Sequence, residues 1–266
     1  MAVDYNIPNP VKDRLARGET SYGISVHISR SAEIALLARA SGHDFLWIDQ
    51  QHAIYDVETV KNIALTAQAV GVAPIVRVTS VDDPTISLLL DNGVTGIVFP
   101  DVETAEQAQK AVNASKFAPI GKRGMSGSYP YFDYQSVNMA KAVVSMNEAT
   151  LVVVMIESPE GLANADAIAG VEGVDIVHIG MSDMLNNMGL TGQHGTPEIL
   201  AALDRVIEVA NAHGKYAGAG GNRNIAAQAS MIKKGVRFLT TQTDAGLIVQ
   251  GATKWMEGIR AELEKP

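Results

Sequence analysis

Short apolar runs rich in valine, isoleucine and leucine recur along the chain, separated by longer stretches whose apolar residues fall at helical spacing. The runs predict strands at Ser21 to Ile28, Phe45 to Asp49, Pro74 to Val78, Gly96 to Pro100, from Leu151, Asp175 to Gly180, Tyr216 to Ala219 and Phe238 to Gln242. Between them lie predicted helices at Ser31 to Ala40, Val57 to Val70, Pro84 to Asp91, Ala105 to Ser115, Val137 to Met146, Thr196 to His213 and Ile225 to Lys234. A short extra helix is expected over Met181 to Asn187, and a last one over Ala245 to Leu263. Residues 1–20 read as an irregular lead-in with a short helix around Val11 to Ala16. The strands are continuous apolar runs, which marks them as buried on both faces and therefore parallel. Eight strand–helix alternations with no composition break, linker or fixed-period repeat predict a (β/α)8 TIM barrel forming a single domain over 1–266.

One segment breaks the pattern. Phe117 to Gln135 carries Gly121, Gly124, Gly127 and Pro130 together with Phe117, Tyr129, Tyr131 and Phe132. A loop this long in a compact domain is more often functional than idle, so its aromatic residues are candidates for a wall of the active site or for ordinary packing.

Composition narrows the function classes. At 266 residues with 47% hydrophobic content, the chain can bury the core of one barrel. A formal net charge of −8 opposes nucleic-acid binding, which needs a basic stripe, and opposes an anionic membrane surface. The chain has no cysteine, which excludes disulfides, thiolate metal sites and a cysteine nucleophile. MAVDYNIPNP has no basic end followed by an apolar run, and no apolar stretch approaches the ~18 residues of a membrane span, so the expected location is the cytoplasm.

A barrel places its active site at the carboxyl ends of the strands, so the polar residues there are the candidates. Two apolar runs end in a carboxylate, LVVVMIE at Glu157 and DIVHIGMSD at Asp183. On neighbouring strands these would share one rim, where two hard oxygen ligands hold a divalent cation and leave much of its coordination open. Taken singly, Glu157 would serve as well to cap a turn and Asp183 to open a helix; it is their pairing that points to a metal. Strand two ends in LWIDQQHA, which offers Asp49 and the imidazole of His52, a side chain suited to moving protons near neutral pH. Arg77 lies inside the apolar run PIVRV, where it needs an anion: Asp49, or a bound carboxylate or enolate. Asp91 could orient His52 by accepting its second ring proton. The backbone of Gly180, Met181 and Ser182 at the head of the extra helix could take a substrate carboxylate. Such a rim suits a 2-oxo acid whose enolate is stabilised by the metal and the arginine. Lys122 and Lys215 fall in loops, which disfavours a Schiff base.

The segments LWIDQQHA, PIVRV, LLLDNGVTGIVFPDVET, PIGKRG, VVMIESPEGLAN, GVDIVHIGMSDMLNNMG and HGKYAGAGG, in this order and spacing, resemble the pyruvate-dependent, metal-requiring class II aldolases of the HpcH/HpaI aldolase family. The resemblance runs from about Ser21 to Asp244. It implies a barrel that needs Mg, Mn or Co and reversibly cleaves a 4-hydroxy-2-oxo acid into pyruvate, or a related 2-oxo acid, and an aldehyde. By position it implies Glu157 and Asp183 as metal ligands, Arg77 as stabiliser of the keto and enolate oxygen, and His52 with Asp91 as the acid/base relay. It also implies a homo-oligomer, a hexamer built as a trimer of dimers, whose C-terminal helices exchange between subunits. The chain departs from the family pattern at Gln50-Gln51, where Gly-Glu is usual, at Met155, often glutamine, and at Met181, usually proline. Two other readings remain: a lyase such as an oxaloacetate decarboxylase using the same enolate site, and a non-catalytic phosphate-binding barrel resting on Gly218 to Asn222 and on the basic loop Gly121 to Gly124.

Overall fold

In the computed structural model, which describes residues 3–265, the strands close on themselves in chain order. They are β1 (Ser21–Val26), β2 (Phe45–Asp49), β3 (Ala73–Arg77), β4 (Gly96–Phe99), β5 (Leu151–Ile156), β6 (Ile176–Gly180), β7 (Tyr216–Gly220) and β8 (Val236–Thr243). Every neighbouring pair is parallel, including β1 with β8. Parallel neighbours need a crossover, and helices between the strands supply it: α2 (Ile34–Ala40), α3 (Val57–Ala69), α4 (Ile86–Asp91), α5 (Ala105–Ser115), α6 (Met139–Ala149), α7 (Pro159–Ala163), α8 (Ala165–Ala169), α9 (Met181–Asn187), α10 (Pro197–Ala212) and α11 (Ile225–Lys234), with α1 (Pro10–Ala16) ahead of β1 and α12 (Asp244–Leu263) after β8. The (β/α)8 barrel expected from the sequence is thus the observed fold.

Two shells of apolar side chains hold it. Residues facing outward from the strands pack against the helices, with Ile48, Val76, Val154 and Ile179 among them. Inside the barrel, Phe45, Trp47, Ile75, Val153 and Phe238 form a separate core. Phe45 stacks on Phe238 with ring centroids 4.2 Å apart. Gly23 makes that stack possible, because a Cβ there would lie inside the Phe45 ring. Helix α1 closes the amino end: Val11 and Leu15 join the inner core, and the Asn9 side-chain amide donates to Ala149 O (2.7 Å), just ahead of β5. The carboxyl end is left open.

Two helical segments differ from expectation, and the aromatic loop follows its packing alternative. Helix α2 starts at Ile34 rather than Ser31, because the Ser31 hydroxyl is engaged with the Glu33 side chain (3.0 Å) and backbone in a turn ahead of it. Two short helices, α7 and α8, follow β5; Ser158 caps α7 through Gly161 N, and Pro159 stands at its first position. The aromatic loop folds as a satellite core: Phe117, Tyr129 and Phe132 pack with Ala142 and Met146, and the single proton of the Tyr131 hydroxyl is shared between Leu90 O (2.8 Å) and Val94 O (2.6 Å).

Helix α12 fully buries its first residue alone. The buried Asp244 carboxylate accepts the backbone N–H groups of His27 (3.0 Å), Ile28 (3.0 Å) and Ser29 (2.8 Å), which fixes the loop after β1. Beyond it the helix is exposed, Trp255 at 75% and Leu263 at 80%. No helix among the described residues is long and apolar enough to cross a membrane.

Candidate active site

Strand register builds the first half of the site. Asp49 and Arg77 are the last residues of β2 and β3 and pair in register. Arg77 Nε donates to Asp49 Oδ1 (3.0 Å) and Nη2 to Oδ2 (2.5 Å), a bidentate fork with almost no solvent access. Asp49 Oδ1 also accepts the backbone N–H groups of Gln51 (3.1 Å) and His52 (3.2 Å), so the turn after β2 is wound onto the carboxylate. His27, just past β1, places Nε2 3.2 Å from Asp49 Oδ2. Burial alone would push the Asp49 carboxyl up; the hydrogen bonds from His27 and Arg77 and the guanidinium charge outweigh it and hold Asp49 far below the usual carboxylate range.

The second half stands on β5 and β6, which are adjacent. Glu157 follows the end of β5 and is 2% exposed, while Asp183 lies in the first turn of α9, directly after β6. Both expected metal carboxylates therefore share one rim. Glu157 Oε1 accepts the Asp101 backbone N–H (3.0 Å), which Asp101 presents from a left-handed conformation (φ 53°). Glu157 Oε2 is buried and has no hydrogen-bond partner. Burial pushes the Glu157 carboxyl up to about 8, and repulsion from Asp101 and Asp183 adds to it. Gly180 leaves the room this oxygen needs, since a Cβ there would collide with it. A buried, unpartnered carboxylate oxygen beside a second carboxylate is the situation that a bound cation relieves. No group of three or more His, Cys, Asp or Glu side chains that could hold a metal occurs among the described residues.

A cavity of 270 Å3 opens between the halves at the carboxyl end of the barrel. His52, Arg77, Gly180, Met181, Ser182 and Asp183 line it on the stretch of rim from β2 to β6, and Arg223, Thr240 and His27 on the stretch from β7 through β8 to β1. Trp47, Met155 and His178 form the floor. His178 is fully buried, packed 5.1 Å from the Trp47 ring, and burial, with the Arg77 charge adding to it, depresses its imidazole to about 3. The native state thus holds it neutral, while the unfolded chain takes a proton below about 6.5. The His178 contribution to stability falls as pH drops from about 6.5 towards 3. Between pH 7 and pH 4 the wild type should lose up to about 3 kcal/mol more than His178→Leu in urea titrations; parallel pH profiles would refute a buried neutral imidazole.

One expectation is corrected. Asp91 does not meet His52 within the chain; it is ion-paired to Arg123 (2.5 Å), whose guanidinium lies over the Phe117 ring. The same pair accounts for the arginine of the Gly121–Gly124 loop. The glycines at the end of β7 and just after it also have packing reasons: side chains at Gly218 and Gly220 would strike His178, and one at Gly221 would strike Ser182. His27, His178, Arg223 and the Asp101 backbone were not foreseen. His27 fell within the predicted first strand, and His178 was one polar residue inside an apolar run.

The model of the HpcH/HpaI aldolase/citrate lyase family matches residues 27–250. The chain belongs to this family. It is 33% identical over 249 residues to the 4-hydroxy-4-methyl-2-oxoglutarate aldolase of Hapsidospora irregularis, covering 92% of each chain. It is also 33% identical over 261 residues to the hydroxypyruvate/pyruvate aldolase of Roseobacter denitrificans, covering 94% of this chain and 98% of the relative. Among solved structures, the HpcH/HpaI aldolase from Desulfitobacterium hafniense superposes with a TM-score of 0.88 at 27% identity, over 96% of this chain and 97% of the other. As a member of the HpcH/HpaI family the protein is a carbon–carbon lyase.

Proposed function

We propose that the protein is a metal-dependent aldolase that reversibly cleaves a 4-hydroxy-2-oxo acid into pyruvate, or a related 2-oxo acid, and an aldehyde. The observation that carries this reading is the unpartnered, buried Glu157 Oε2 beside Asp183, in the same rim as an arginine already braced by Asp49. Glu157 and Asp183 would hold Mg, Mn or Co. When bound, the cation supplies Lewis acidity at the keto oxygen.

The chain's own groups do the rest. The backbone of Gly180, Met181 and Ser182 lines the cavity where the substrate carboxylate would sit. Arg77 faces the keto oxygen and stabilises the negative charge that develops there. His52 takes the proton from the C4 hydroxyl; the C3–C4 electron pair moves into the enolate, the aldehyde leaves, and His52 delivers the proton to C3. Asp49 holds Arg77 in place and fixes the turn that carries His52.

The test is solvent-deuterium exchange at the methyl of pyruvate. Exchange should require a divalent cation, and His52→Ala should slow it by about 10²-fold or more while weakening pyruvate binding much less. Exchange that persists in chelator would sink the reading. Supplying pyruvate with glycolaldehyde in one assay and oxaloacetate in another separates an aldolase from a decarboxylase using the same enolate. We further propose that the exposed apolar side chains of α12, Trp255 and Leu263 among them, are covered by a second copy of the chain in a homo-oligomer; the residues concerned have no cover within one chain.

A further inference from the structure

The charges lining the cavity do not balance evenly around its rim. On the β2–β3 side Arg77 is matched by Asp49. On the β5–β6 side Asp183 lines the cavity and Glu157 is the neighbouring carboxylate, the pair that on the aldolase reading would hold a cation. Arg223, in the turn between β7 and α11, lines the same cavity but forms no ion pair among the described residues. Its Nη1 donates to the neutral Gln242 Oε1 (3.0 Å), and that oxygen is itself fixed by the Thr243 backbone N–H (2.9 Å). The arginine is thus tethered but not neutralised.

Beneath it the floor carries unused polarity. Both ring nitrogens of the fully buried His178 lack a partner. A Cβ placed on Gly220 would lie 3.0 Å from His178 Nε2 and 2.6 Å from Thr240 Oγ1, so these two atoms converge on the gap that this glycine leaves. Ser25, on β1, brings a further hydroxyl to the cavity. An orphaned buried imidazole costs stability unless something occupies the space beside it.

We infer that the β7–β8–β1 side of the cavity is a second anionic subsite, in which Arg223 pairs with a carboxylate at the far end of the substrate while His178 and Thr240 hydrogen-bond to the groups between. This rests on the aldolase reading and deepens it: the substrate is a 2-oxo dicarboxylic acid, with its 2-oxo acid head towards Glu157 and Asp183 and its tail towards Arg223. A carboxylate fits better than a phosphate, because one unpaired guanidinium matches one negative charge and the remaining cation of the cavity, Arg77, is already paired. The neutral state of His178 allows it to act as a hydrogen-bond partner without adding charge.

Two measurements on wild type, Arg223→Gln and Arg223→Lys separate this inference from the reading beneath it. The first is binding of 2-oxoglutarate against 2-oxobutyrate, followed by calorimetry with Mg present. The wild type should favour the dicarboxylate by on the order of 10- to 100-fold, Arg223→Gln should reduce the preference to a few-fold, and Arg223→Lys should keep part of it. The second is cleavage of 4-hydroxy-2-oxo acids ending in carboxylate, hydroxymethyl or phosphate, where the same preference should appear mainly in KM. Equal binding of the two acids, or a preference that survives Arg223→Gln, overturns the subsite. Preference for the phosphate-ended substrate overturns its carboxylate specificity. If pyruvate exchange fails with every metal, the aldolase reading falls while the binding comparison still decides the subsite.

Discussion

Glu157→Gln and Asp183→Asn should each lower metal-dependent turnover of a 2-oxo acid by about 10³-fold or more, because a Lewis acid at the keto oxygen is worth several kcal/mol. Both replacements keep size and hydrogen-bonding shape while removing the charge. The fold should survive, and for Glu157 the metal-free protein should gain stability above pH 7. The Glu157 carboxyl, at about 8 in the native state against 4.5 ordinarily, keeps its proton longer in the folded chain than in the unfolded one. The Glu157 contribution to the stability of the metal-free wild type therefore declines as pH rises from about 4.5 to about 8, by an amount on the order of a few kcal/mol; between about 4.5 and 6.5 the opposite slope from His178 offsets it, so the decline is read as the difference from Glu157→Gln. Glu157→Gln has no such decline. Metal should raise the Tm of the wild type, more strongly at pH 8 than at pH 6 because binding displaces the proton, and should leave both variants unmoved. A variant that still gains Tm with Mg, Mn or Co, or that retains metal-dependent rate, would show the ligands to lie elsewhere.

Most of the barrel was legible because its rules are local. A parallel strand buried on both faces is a continuous apolar run, and the eight runs mark the strands to within a residue or two. Helices with sharp ends were read to the residue: Ala105–Ser115 behind its Thr104 capping box, Met181–Asn187, and Ile225–Lys234 behind Asn224. The pair α7 and α8 escaped because Pro159, Gly161 and Gly170 punctuate the stretch as if it were a loop. Strand β8 proved longer than its apolar core because it pairs with both β7 and β1, with register shifts that carry its polar end, Thr240 to Thr243, along the rim.

The site divides by the same criterion. Asp49, Glu157 and Asp183 stand at the ends of apolar runs, so a rule about strand ends finds them, and Arg77 is found as a charge inside such a run. Asp101 acts through its backbone N–H in a left-handed turn, which side-chain identity does not announce. Arg223 acquires meaning only when barrel closure brings β7 and β8 round to β1, leaving the arginine on the same cavity as Arg77. Asp91 shows the converse. Its spacing fits a partner for His52, but Arg123 arrives from an irregular loop and takes it, a contact between residues 32 apart that no periodicity encodes.

Arg77→Met should be the most damaging single change, since it strikes stability and chemistry together. It strands the Asp49 carboxylate, 0% exposed, with its His27 and backbone partners but without the guanidinium fork. Breaking a buried ion pair by removing one partner costs about 3–5 kcal/mol, whereas replacing both partners with neutral residues is often close to neutral. The double variant Asp49→Asn with Arg77→Met should therefore recover most of the lost stability in urea titrations. Activity should not follow. Without a cation opposite the keto oxygen, pyruvate exchange should stay down by about 10²- to 10³-fold in both the single and the double variant. Arg77→Lys should fall short as well, because a point charge cannot span both oxygens of Asp49 while facing the substrate. The cycle separates the two roles of the fork. If the double variant regains exchange along with stability, Arg77 serves only to neutralise Asp49, and the enolate charge must be met by other groups.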